Sequence, residues 1–421
     1  MKILIQSATI LNAASPFHKK KKNILVQNGR ITEIGDKKYS SDKTIDANGM
    51  FLSAGWFDIG TYVGDPGYEQ KEDVHSVMKA AAAGGFTELA VLPNTNPSVQ
   101  SKNEVSYLTQ GNKSRLVQIH AMASVTRNNK GEDLTEMIDL HEAGAIAFTD
   151  GLKPVWHTDI FLKALQYLQK FDGLLIDHSE DIWLNLFGQM HEGIISTQLG
   201  LKGMPRIAEE LPLSRNIELL QYAGGRAHFS RLSTAKSVAL IKTAKNRGLS
   251  VSCDVTSYQA LLDDSMLQSF DTNYKVNPPL REKSDAAALI KGLQDGTIDV
   301  LCSGHLPQDD ESKNLEFDLA DFGMTNLQTF ASHLAALSAS VRWEDLIEKV
   351  TTAPRKLLGL EAPLIDKDQN ANLTLLDPAR EWTLDSKTNY SKAKNSPWYG
   401  MKMKGKAVAV FNNSKHWLDA E

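Results

Sequence analysis

Eight apolar runs, each followed by a stretch of helical spacing, leave few folds open to this chain. In order they read "MFLSAGWFDIG", "FTELAVLPN", "LVQIHAMAS", "AIAFTD", "GLLIDHSED", "RAHFSR", "LSVSCDVTSY" and "IDVLCSGH". Continuous apolarity, as opposed to strict alternation, marks strands covered on both faces, the condition of a parallel sheet. Segments such as Asp73 to Ala83, Leu134 to Ala143, Thr234 to Asn246 and Asp285 to Leu293 read as the intervening helices. Eight such units close into a (β/α)8 barrel, the TIM-barrel form of the α/β class, and its site is expected at the C-terminal ends of the strands.

The two ends of the chain have a different texture. Before residue 52 apolar and polar positions alternate, with turn signals at Asn28-Gly29 and Asn48-Gly49, and the same pattern returns from "NANLTLLDP" to "MKMKGKAVAVFNN". Short antiparallel strands follow from that pattern. The expected organisation is therefore a small β-sandwich domain built from residues 1–52 and 363–421, flanking a barrel over 53–362.

A chain of 421 residues that is 42% hydrophobic can bury such a core. Its net charge of -5, with both signs interspersed, offers no footprint for nucleic acid or an anionic membrane, so small molecules or proteins are the expected partners. The basic run Lys19 to Lys22 reads as a solvated hairpin. Cys253 and Cys302 lie in apolar strand-like runs, where a buried free thiol is the common state. With no apolar run near the roughly 18 residues of a membrane span and no apolar leader at the start, a cytoplasmic location is expected.

The strand ends present Gly60 and Tyr62, Asn94, Ser124, Asp150, His178, Ser230 with Arg231, Asp254 and Tyr258, and Gly304 with His305. A hydrolytic zinc centre needs about three protein ligands. Asp150 and His178 are the pair expected in one barrel mouth. Strand alternation from an inward Arg231 turns His228 toward the helices, and His305 is expected to turn aside next to Gly304. Histidines 75, 120, 141, 157, 191, 333 and 416 show no ligand spacing and read as structural or exposed.

Several segments together carry a resemblance. "KEDVHSVMKAAAAGGFTELAVLPNTNPSV", "LGLKGMPRIAEE", "NPPLR", "ANLTLLDP" and "NSPWYGMKMKGK" occur in an order that resembles the dihydroorotases, cyclic amidohydrolases of pyrimidine biosynthesis, in their long multidomain type. In that family the first strand ends in a zinc-binding HxH, whose matching positions here are Gly60 and Tyr62. The substrate-gripping arginine before Pro-Gly has become Gly64. The bridging aspartate and the fifth-strand histidine are kept as Asp150 and His178. The HxxH of the sixth strand survives only as His228, with Arg231 in the second place, and "TPHH" has become "TSYQ", Thr256 to Gln259. DHxPH has become "GHLPQ", so that Gly304 replaces the proton-shuttling aspartate and Gln308 a substrate contact. Asn94, Asn277 and Arg281 match remnants of the substrate pocket.

The resemblance implies a pyrimidine-pathway protein, and the replacements imply that its chemistry is absent or very slow. Opening a cyclic amide at neutral pH requires a metal-bound hydroxide and a proton carrier. No cofactor is therefore expected. Arg231 is expected to form an ion pair with Asp150 in place of the metal, with Tyr62 filling volume, since a buried carboxylate needs a partner. By the same resemblance the role is structural or regulatory, with aspartate carbamoyltransferase as partner and a homo-oligomer as the expected state. The alternative is an active cyclic-amide hydrolase interconverting dihydroorotate and N-carbamoyl-aspartate, with zinc on Asp150, His178 and His305 or Asp254. A third reading is a ligand sensor that uses Asn94, Asn277 and Arg281.

Overall fold

In the computed structural model, which describes residues 1–419, each of the eight apolar runs contributes one strand of a parallel sheet. These are β1 (Trp56–Thr61), β2 (Phe86–Val91), β3 (Gln118–Ala123), β4 (Ala147–Phe148), β5 (Leu174–Asp177), β6 (Arg226–Phe229), β7 (Val251–Thr256) and β8 (Val300–Cys302). Their order in the sheet is their order in the chain. One face packs under the helices through Phe86, Phe229, Cys253 and Val255. The opposite face fills the barrel with Phe57, Ile59, Ala90, Met122, Ile176 and Val300, so the barrel is a packed core and not a pore.

Closure between the first and last strands relies on a side chain. The buried Asp58 accepts from the Ser303 N–H and from its hydroxyl, both at 2.6 Å, while the Tyr62 N–H donates to the His305 carbonyl at 3.0 Å. Burial pushes the Asp58 carboxyl above its ordinary range, against the pull of those hydrogen bonds.

The helices begin where the sequence supplies caps. Asp73 accepts from the Ser76 N–H at 2.7 Å and opens the helix Val74–Gly84, which Gly85 ends at φ 102. Thr234 caps Ala235–Asn246 in the same way. The helix expected from Leu134 is shorter, Met137–Glu142. Its first residues are held elsewhere, because Leu134 bridges to Thr126 and the Thr135 N–H donates to the Val125 carbonyl.

The chain ends meet in one eight-stranded sheet. The strand Leu373–Thr383 pairs antiparallel with Phe51–Ala54, which pairs parallel with Lys2–Leu11. That first strand shifts register between Ile5 and Ala8, where Ser7 has φ 64, so it pairs with Lys43–Asp46 before the shift and with Phe51–Ala54 after it. The two layers of a sandwich are thus one forked sheet, wrapped around Ile5, Ile10, Leu52, Leu373 and Phe411. It is tied to the barrel through Glu88 of β2, which accepts from Arg355 at 2.7 Å and from Asn372 at 3.2 Å.

Lys21 and Lys22 open the strand Lys21–Gln27. Cys253 and Cys302 are buried free thiols. No helix among the described residues is long and apolar enough to cross a membrane.

Candidate functional site

The strand ends converge on a mouth centred on Arg231. Gly60 has φ 84 and sits where the β1–β2 register slips between Ile59 and Thr61, so its carbonyl is released from the ladder. Arg231 Nη2 donates to that carbonyl at 2.7 Å, spanning the barrel from the end of β6. The Arg231 side chain is buried. A Cβ built on Gly60 would lie 3.7 Å from this nitrogen, so the guanidinium occupies the space in front of β1.

The expected Arg231–Asp150 ion pair does not form. Asp150 instead accepts from the Thr126 N–H at 2.9 Å and from the Thr126 hydroxyl. Two donors from one neighbouring residue satisfy the carboxylate without a cation. Burial still dominates and pushes the Asp150 carboxyl up to about 6. Tyr62 is buried against the apolar interior, and burial raises its hydroxyl further above neutrality.

His228 also differs from expectation. It faces the barrel interior, with Nδ1 2.8 Å from the Ser252 hydroxyl and Nε2 2.9 Å from Asp254. The alternation argument fails because β6 ends at Phe229, and Arg231 has φ 57, so the backbone turns before the count reaches it. Asp254 also accepts the Arg231 N–H at 2.6 Å. Burial alone would raise its carboxyl, but the bonds from His228 and Arg231 hold it below the ordinary range.

The remaining candidates are engaged with each other. His178 Nε2 lies 3.3 Å from Glu180, whose carboxylate also accepts from Asn277 Nδ2 at 3.1 Å. Burial of Glu180 is outweighed by these bonds and by Asn185, which hold its carboxyl down at about 2. Asn94 uses both ends of its amide, donating to the Asp150 carbonyl and accepting the Leu152 N–H. Arg281 is buried and donates to the Met204 carbonyl at 2.7 Å and to Ser233 at 2.9 Å. His305 turns outward, where its Nδ1 accepts the Asn326 N–H and its Nε2 lies 3.5 Å from Glu72.

The position of Gly304 is closed. It has φ 65, and a Cβ there would lie 2.6 Å from Thr256 Cγ2 and 2.8 Å from Tyr258 Cε1. Tyr258 therefore fills the volume that a longer side chain at 304 would need. Its hydroxyl is pushed up to about 12, mainly by burial. Gln308 donates to the Phe322 carbonyl at 2.7 Å and accepts from Lys71 at 2.5 Å.

These residues do not fit a zinc centre. Among the described residues no three histidine, cysteine, aspartate or glutamate donors come within 4.8 Å of one another in this mouth. The fixed guanidinium of Arg231 would repel a second cation. Sequence reasoning missed Asp58 and Glu180 as determinants. Asp58 could have been noticed as a carboxylate inside an otherwise apolar run.

Residues 49–237 match the family model described as dihydro-orotase-like. The dihydroorotase of Citrifermentans bemidjiense is 38% identical over 391 residues, covering 92% of each chain. That of Geobacter metallireducens is 36% identical over 426 residues, covering 99% of each. Among solved structures, L-hydantoinase from Arthrobacter aurescens superposes with a TM-score of 0.83 at 20% identity, covering 100% of this chain and 97% of that one. A D-hydantoinase superposes with a TM-score of 0.82 at 22% identity, covering 99% and 95%. The hydantoinase likeness establishes the fold alone, whereas identity above 30% over nearly the whole length establishes more: this chain belongs to the dihydroorotase family.

Proposed function

We propose that this chain is a non-catalytic dihydroorotase-family protein of the pyrimidine pathway, retained for a structural or regulatory role. The observation that carries the reading is the Arg231 to Gly60 contact across the barrel mouth. It puts a permanent cation where the reaction of the relatives named dihydroorotase would need a bound nucleophile.

No other group supplies the missing chemistry. A general base must be free to accept a proton within hydrogen-bond reach of the reacting water. Asp254 is held by His228 and the Arg231 N–H, Asp150 by Thr126, and His178 by Glu180. Tyr258 is protonated at neutral pH. Gly304 has no side chain to carry a proton to the leaving nitrogen.

The partner proposed is aspartate carbamoyltransferase, the enzyme whose product is the linear form of the dihydroorotase substrate, with the chain acting as a homo-oligomer. Support comes from family membership and from a barrel that keeps its architecture without its reactive groups. The test is affinity purification of the tagged full chain from its native extract. Co-elution of a carbamoyltransferase, with its activity altered by added chain, supports the reading. A lone homo-oligomer, or dihydroorotate turnover, contradicts it.

A further inference from the structure

Outside the barrel interior a second cluster has the composition of a cation site. His191 lies in the strand Met190–His191 after β5, while Asp264 and Glu282 flank the long loop between β7 and the helix Lys283–Asp295. One donor atom from each lies within 4.8 Å of the others. His191 precedes the other two by about 70 and 90 residues in sequence.

Two further observations point to a ligand. His191 is fully buried, yet its Nε2 has no partner. An unsatisfied buried polar atom is costly and calls for an explanation. Gly193 leaves a cradle beside it, since a Cβ built there would meet His191 Nε2 and Glu282 Oε1, each at 3.5 Å. Glu282 uses its other oxygen, Oε2, for Arg206 at 2.7 Å.

Charge is unbalanced in the same sense. Asp264, Glu282, Asp285 and Glu209 gather around two guanidiniums, those of Arg206 and Arg281. With Asp263 also close to Asp264, negative charge is in excess there.

We propose that His191 Nε2, a carboxylate oxygen of Asp264 and Glu282 Oε1 form a structural site for a first-row divalent cation, with zinc the preferred ion. One imidazole and two carboxylates suit such ions, whereas calcium and magnesium favour all-oxygen sets. In the metal-free protein the Arg281 N–H faces Nδ1 at 3.2 Å, which places the imidazole proton on Nε2. Ligation moves that proton to Nδ1 and displaces this contact. Arg281 keeps its bonds to Met204 and Ser233. The ion would pin the excursion after β5 to the loop after β7.

The test titrates zinc into the chelator-stripped full chain, read by calorimetry and by thermal stability. The expected result is about one equivalent bound, with a rise in melting temperature. His191→Asn and Asp264→Asn should each weaken binding by at least about tenfold, while Asp150→Asn and His178→Asn leave it unchanged. Anomalous diffraction from zinc-soaked wild-type crystals should locate the ion at His191, independently of how any variant folds. No zinc binding, or an ion located in the barrel mouth, overturns the proposal.

Discussion

Nη2 of Arg231 and the carbonyl oxygen of Gly60 lie 2.7 Å apart, joining the end of the sixth barrel strand to the end of the first. The contact depends on both residues. The register slip at Gly60 frees the carbonyl, and a long side chain at 231 reaches it. Truncating Arg231 to Met leaves a buried carbonyl without its donor, a loss of about 1–3 kcal/mol. Urea unfolding of Arg231→Met should show a lowered midpoint with an unchanged slope.

An acid introduced at position 304 should be excluded for steric reasons. Gly304→Asp introduces a Cβ within 2.6 Å of Thr256 Cγ2 and 2.8 Å of Tyr258 Cε1, on a backbone with φ 65. Strain and overpacking together should cost about 2–4 kcal/mol. Gly304→Ala should show most of the loss. The double variant Gly304→Asp with Tyr258→Ser should recover part of it, a coupling that a double-mutant cycle measures.

His228 and Asp254 form a fully buried pair at 2.9 Å. Removing one partner strands the other, so Asp254→Ala should destabilise by about 3–5 kcal/mol. The Asp254 carboxyl is held below its ordinary range. Its stabilising contribution is therefore complete above the carboxylate pKa of the unfolded chain and disappears as pH falls through the folded value. The stability gap between wild type and Asp254→Ala should narrow on acidification, followed by thermal unfolding across pH 3 to 7.

Asp150 should behave in the opposite sense. With its carboxyl pushed up to about 6, the folded state holds a proton that the unfolded chain releases near pH 4. Its contribution is favourable below that pH and is lost as pH rises through 6. Relative to wild type, Asp150→Asn should gain stability between pH 4 and 7, on the order of 2–3 kcal/mol. Matched thermal melts of the two proteins read the crossing.

The barrel was legible because parallel strands buried on both faces are uniformly apolar, and all eight runs carry that signal. The starts of the helices at Asp73 and Thr234 were legible as well. The mouth was not. Counting alternation from Arg231 to His228 ran through a residue with φ 57, where the period of two no longer holds. The pairing of Asp150 with Thr126, 24 positions away, and of Glu180 with Asn277, 97 away, depends on loop paths that residue types do not encode. Electrostatics required a partner for Asp150 but could not choose between a distant guanidinium and a nearby hydroxyl.

Whether the mouth can still activate water is settled by turnover. The measurement is hydrolysis of dihydroorotate, and its reverse from N-carbamoyl-aspartate, by purified wild-type protein supplied with stoichiometric zinc, beside an active dihydroorotase as control. A rate equal to the protein-free background is expected, unchanged in Asp150→Asn and His178→Asn. Turnover above background that either substitution abolishes would contradict the proposal of a non-catalytic barrel closed by Arg231.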